Sequence, residues 1–118
     1  MRKTSSTNFK NQHCLRKKCS LAYTLELIGG RWKAVILWRL LEDRRNYSRL
    51  KHSIDGITER MLAKQLRELI RDGLIQKKTI SQKPTRTEYK LTPLGRTLKP
   101  HLVALSTWGH KNRNDKAE

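Results

Sequence analysis

Three places in this sequence hold side chains whose types and spacing can support chemistry, and cations dominate all three. The first is HCLRKKC, which sets His13, Cys14 and Cys19 around Arg16, Lys17 and Lys18. It offers a metal ion at most three ligands, with three positive charges between the cysteines. Structural zinc generally takes four ligands, commonly with cysteines two to four residues apart, so no metal is expected here. The same charges suit sulfur chemistry, because cationic neighbours and a helix beginning just after Cys19 both stabilise a thiolate. Cys19 is therefore expected to react first with an oxidant or a small electrophile. Cys14 stands close enough to resolve it as a disulfide, although the C-x4-C spacing neither requires nor excludes this.

The second place is ITERMLAKQLRELIRDGLIQKK, residues 57 to 78. On a helix turning about 100 degrees per residue, Leu62, Leu66 and Leu69 fall on one face, while Arg60, Lys64, Arg67 and Arg71 gather on the opposite one. Thr58 is placed to cap the helix, its hydroxyl accepting from an otherwise unpaired backbone N–H. Thr58, Glu59, Arg60, Ala63 and Lys64 occupy the first two turns, the part of such a helix that can approach base edges, and Arg60 and Lys64 suit guanine. The third place follows at once. Lys78 and Arg86 flank the turn residues SQKP, which contain Lys83, and all three are suited to neutralising phosphates, as Arg67 and Arg71 are.

Catalysis finds no support. His13, His52, His101 and His110 stand near no carboxylate pair and no Ser/His/Asp arrangement of interpretable spacing. IGG and LGR contain glycine but do not form the phosphate loop G-x-x-x-x-G-K-[ST]. No enzyme and no cofactor are expected.

The elements that must position these side chains can be read from periodicity. SLAYTLELIGG places Leu21, Leu25 and Ile28 at helical spacing and stops at a glycine pair. WKAVILWRLLED carries Trp32, Val35, Ile36, Leu40 and Leu41 on a broad apolar face. NYSRLKHSIDGI gives a short helix with Tyr47, Leu50 and Ile54, then a turn at Asp55 and Gly56. After the basic helix and Gly73, LIQKKTI and TRTEYKLT have strand character, with Thr87, Tyr89 and Leu91 alternating against Arg86, Glu88 and Lys90. PLGRTLKPHLVALSTWGHK closes the unit with an apolar stripe of Leu94, Leu98, Leu102, Leu105 and Trp108. Pro100 should kink that last helix or mark its true start.

A helix, a turn, a longer helix with a basic outer face and a basic two-stranded hairpin together describe a winged helix-turn-helix. The fold class is mainly α with a small β-hairpin. The basic helix would enter a major groove about 12 Å wide, and the hairpin would straddle neighbouring phosphates.

Charge points the same way. Lys and Arg number 27 against 10 Asp and Glu, a formal +17 with a pI near 10.6, so a polyanion is the natural partner. No run approaches the roughly 20 apolar residues of a bilayer span, and the first residues lack the apolar stretch of a secretory signal. A soluble, cytoplasmic chain is expected. Residues 1–13 are basic and poor in apolar side chains, as a flexible arm would be. Residues 14–110 form the expected domain and 111–118 a polar tail.

CSLAYTLELIGGRWKAVILWRLL, GITERMLAKQLRELIRDGLI, KPTRTEYKLTPLGRTLKP and LVALSTW resemble, in that order, the HxlR family of bacterial winged-helix transcriptional regulators. The resemblance runs from about Cys19 to Trp108. It departs at Ser20, where the family usually has proline, and at Ile70, where it usually has an acid. It implies a homodimer, binding to palindromic double-stranded DNA, and in some members control through the N-terminal cysteine. The sequence adds its own support for a dimer: Leu98, Leu102, Leu105 and Trp108 extend a stripe longer than a small winged helix needs internally. The main alternative is a basic RNA-binding or ribosome-associated protein. That would usually show aromatic platforms, and the few aromatics here mostly sit at core spacings. An adaptor built on a degenerate winged helix, or a protein bound to anionic membrane, are the other readings.

Overall fold

A computed structural model describes residues 19–43 and 45–113. The proposed arm and Cys14 lie outside the described residues, as do His13, Arg16, Lys17, Lys18 and the end of the tail. The described elements are α1 (Ser20–Ile28), α2 (Lys33–Leu41), α3 (Tyr47–Ser53), α4 (Glu59–Arg71), β1 (Ile75–Gln82), β2 (Thr85–Leu91), α5 (Pro93–Arg96) and α6 (Lys99–Asn112). Among them no helix is long and apolar enough to cross a membrane.

The core forms where apolar faces from every helix but α5 meet the base of the hairpin. Ile36, Leu37, Leu50, Leu62, Leu69, Leu74 and Ile75 are essentially inaccessible to solvent. Each such side chain contributes about 1.5–3 kcal/mol by leaving water. The helix-turn-helix corner is pinned by Ile54 and Ile57, both buried on either side of Asp55 and Gly56. Gly56 has φ +85, with the Trp32 ring behind it, a conformation that favours glycine.

The hairpin is antiparallel, pairing Ile75 with Leu91 at its base and Gln82 with Thr85 at its tip. Ser81 and Gln82, assigned to a turn from sequence, belong to β1 instead, which leaves Lys83 and Pro84 as the turn. Tyr89 and Leu91 are buried, as their alternation requires.

At the last helix one open alternative is settled and three expectations change. Pro100 occupies its first turn, where a missing N–H is harmless, so it marks a start rather than a kink. Leu94 sits on the separate helix α5 and is exposed. Lys111 and Asn112 are helical, so the folded unit passes residue 110. Leu102 also departs from the expected interface stripe: it points into the chain's own core, 5% exposed, and Leu98 packs partly against that core. A helix repeating every 3.6 residues cannot keep positions 98, 102, 105 and 108 on one line.

Candidate nucleic-acid interface

The basic helix α4 starts where expected. The Thr58 hydroxyl accepts from the Met61 N–H at 3.0 Å. Leu62, Leu66 and Leu69 are buried, whereas Thr58, Glu59, Arg60, Lys64, Arg67 and Arg71 are exposed and Ala63 is partly so. Its far end is closed by Gly73, at φ +78. The Gly73 N–H bonds the Ile70 carbonyl and the Leu74 N–H the Leu69 carbonyl, each at 3.0 Å, the paired bonds of a Schellman end.

Contacts that sequence reasoning missed hold this helix in orientation. The Tyr47 hydroxyl donates to the Glu59 carbonyl at 3.1 Å, tying α3 to the first turn of α4. Burial, and then the Glu59 charge, push the Tyr47 hydroxyl above the ordinary tyrosine range. On the other side, Lys33 of α2 pairs with Glu68 at 2.7 Å with both side chains mostly covered. The hydrogen bond from Lys33 outweighs partial desolvation, and with the charges of Lys33, Lys64 and Arg71 it holds the Glu68 carboxyl below its usual range. The acid at position 68 thus stands within the row Lys64, Arg67 and Arg71 without leaving it. Nothing local in the sequence joins Lys33 to a residue 35 positions away.

The wing is fixed to the same body. Tyr89 N–H donates to the Arg45 carbonyl at 2.7 Å, and Asn46 meets Glu88 in a single antiparallel bridge. At the base, the Thr92 hydroxyl donates to the Gly73 carbonyl at 2.6 Å. Lys78, Lys83 and Arg86 are exposed along the hairpin, and so is Lys77, which the sequence reading passed over. No group of His, Cys, Asp or Glu among the described residues is arranged to hold a metal ion.

Behind the HTH lies a second surface of opposite character. Helices α1 and α6 border an open groove of about 700 Å³, lined by Leu21, Leu25, Leu98, Leu105 and Trp108 among others. Of the three residues that the sequence sets at helical spacing on the first helix, Leu21 and Leu25 are 67% and 52% exposed, and Ile28 alone is buried. Cys19 caps α1, its sulfur accepting from the Ala22 N–H at 3.5 Å, and is partly buried.

The model of the HxlR-like helix-turn-helix family matches residues 27–117. The chain belongs to the HxlR-like family. Among its HxlR-like relatives is the uncharacterized HTH-type transcriptional regulator YybR of Bacillus subtilis, 35% identical over 105 residues that span 89% of this chain and 84% of that protein. The solved structure of the redox regulator HypR in its oxidized form is similar, with a TM-score of 0.77 at 36% identity over 81% of this chain and 99% of HypR. The reduced form of HypR gives 0.76 at 36% identity, over 80% and 94%. This HxlR-like chain is thus a DNA-binding transcriptional regulator of helix-turn-helix type, and not an enzyme.

Proposed function

We propose that the protein acts in the cytoplasm as a homodimer on an inverted-repeat operator, with α4 in the major groove, the wing on the flanking phosphates, and Cys19 as its switch. The observation that supports this most is the division of α4 itself. Three leucines anchor one face while Arg60, Lys64, Arg67 and Arg71 stand in solvent on the other, so the helix offers its cations to a groove at no expense to the core. Thr58, Glu59, Arg60, Ala63 and Lys64 approach the bases. Lys78, Lys83 and Arg86 of the wing, with Arg67 and Arg71, contact phosphate. Leu105 and Trp108, joined by the exposed part of Leu98, meet a second copy across the α1/α6 groove.

Two observations support the switch. HypR is described as a redox regulator in both of its forms, and Cys19 is the N-cap of the helix that borders the groove. Oxidation there, with Cys14 or a partner chain's thiol as the second sulfur, would change how α1 sits against the second copy, and so the spacing of the two reading heads.

The test uses operator duplex selected by the full-length protein from a random pool. Wild type, Cys14→Ser and Cys19→Ser are titrated onto it before and after mild oxidant. Affinity should change on oxidation for wild type and not for Cys19→Ser. No selected motif at all would remove the operator reading, and an oxidant response retained by Cys19→Ser would remove the switch alone.

A further inference from the structure

Ile80 has no task inside the fold. The ladder pairs Thr79 with Thr87 and then Ser81 with Arg86, so Ile80 is the extra residue of a β-bulge, a feature that bends a strand and re-aims a side chain. The result is an isoleucine 47% exposed on a hairpin whose other exposed residues, Pro84 aside, are polar or charged. It lines an open cleft of about 440 Å³ between the wing and α3, together with Tyr47, Ser48, Arg86, Thr87 and Glu88.

The cleft has a definite place. One of its walls, Tyr47, is bonded to the first residue of α4, and another, Glu88, to the chain just before α3. It therefore lies between the start of α3 and the wing, next to the first turn of α4. A duplex whose major groove holds α4 and whose next phosphates meet the wing would bring one backbone strand past the start of α3, where the cleft opens.

We propose that this cleft grips one sugar–phosphate unit of that strand, Arg86 pairing with the phosphate, the Ser48 hydroxyl donating to it, and Ile80 packing on the deoxyribose. The assignment rests on the reading that α4 and the wing face the same duplex. Each residue type suits its part. A guanidinium can take two phosphate oxygens at once, a hydroxyl contacts phosphate without reading sequence, and the carbon face of the sugar accepts an aliphatic chain. Glu88 works in the other direction. It is partly buried at the cleft and stands opposite Lys78 on the ladder, where its charge opposes the phosphate. A chain of net charge +17 binds any duplex through its phosphates, and a carboxylate at a sequence-blind contact lowers that background affinity.

The experiment measures binding of the full chain to its selected operator and to an unrelated duplex of equal length, across a salt series, with thermal melting as the check on folding. Ser48→Ala and Ile80→Ala should each weaken both complexes by about three- to tenfold, as expected for one lost contact, and leave the salt slope unchanged. Arg86→Ala should weaken both and shift the slope by about 1. Glu88→Gln should tighten both, the unrelated duplex at least as much, so that discrimination falls or stays level. A methylphosphonate at the gripped position should weaken wild type and have less effect in Ser48→Ala, a coupling that a structural role for Ser48 would not produce. If Ser48→Ala and Ile80→Ala bind as wild type does while Lys83→Ala shifts the slope, the wing is on DNA but the cleft is not used. If Lys83→Ala and Arg86→Ala also leave the slope unchanged, the placement of the wing fails instead.

Discussion

If α4 enters the major groove as proposed, single residues decide which bases it contacts. Arg60 and Lys64 lie one turn apart on the exposed face, within two turns of the cap at Thr58, and both have the reach and the donors for guanine O6 and N7. Arg60→Ala or Lys64→Ala should each weaken operator binding by about 1–3 kcal/mol and broaden sequence preference at one position per half-site. Selection from a random pool with each variant is the measurement, and wild-type affinity and motif from both would show that another element reads the bases. Their exposure was legible in the sequence because a helix repeats: one apolar row at positions 62, 66 and 69 fixes where every other side chain points. The roles of Tyr47, Glu68 and Ile80 were not. They depend on a partner 12 or more positions away, or on a bulge, and neither leaves a local signature.

Elements hold those residues at the right angle, and here small groups carry large consequences. The Lys33–Glu68 pair joins α2 to α4. Because folding lowers the Glu68 pKa from the ordinary 4.5, its contribution is present above that value and is lost as pH falls through the folded one. Glu68→Gln should therefore cost about 0.3–1 kcal/mol near neutrality, the range of partly exposed ion pairs, and the difference from wild type should vanish in acid. Chemical denaturation at pH 7 and at pH 3 measures both halves; an equal deficit at the two would mean the amide disturbs packing rather than charge. Glycine supplies a second contrast. Gly73 has open space around it but φ +78, whereas a Cβ on Gly95 would collide with the Leu74 carbonyl and press on the Leu91 side chain. Gly73→Ala should cost about 1–2 kcal/mol, the penalty of left-handed backbone. Gly95→Ala should cost more and loosen α5 from the hairpin base, since backbone cannot yield as a side chain tip can. Melting of the two variants ranks them, and the reverse order would show that the α5 junction has slack. Gly73 was legible as a helix stop, while Gly95 gave no signal, because the atoms it must avoid come from 21 residues earlier in the chain.

At the scale of the whole molecule, the two surfaces demand different partners. One is cationic and suits DNA; the other leaves Leu105 58% and Trp108 69% exposed opposite Leu21 and Leu25, in a chain otherwise rich in charge. Contiguous apolar side chains of this kind commonly mark an interface, and a second copy of the chain meeting there would join two α4 helices in one particle. The sequence showed the stripe but gave it one face too many, since Leu102 is inside and the groove needs α1 as its other wall. Leu105 is the decisive position, being exposed in the groove and outside the core, so that a charge there leaves the protomer folded. Leu105→Glu should sediment as a monomer at concentrations where wild type is a dimer, with an unchanged melting profile once the dimer's own contribution is removed by dilution. Its binding should then fall to that of a half-site. With recognition helices set one DNA turn apart, about 34 Å, wild type should lose affinity when five base pairs are inserted between the half-sites, because the second reading head is carried to the far side of the duplex. Leu105→Glu, already bound through one head, should be indifferent to the insertion. A variant that still sediments as a dimer and still senses the spacing would show that the α1/α6 groove is not where two copies meet.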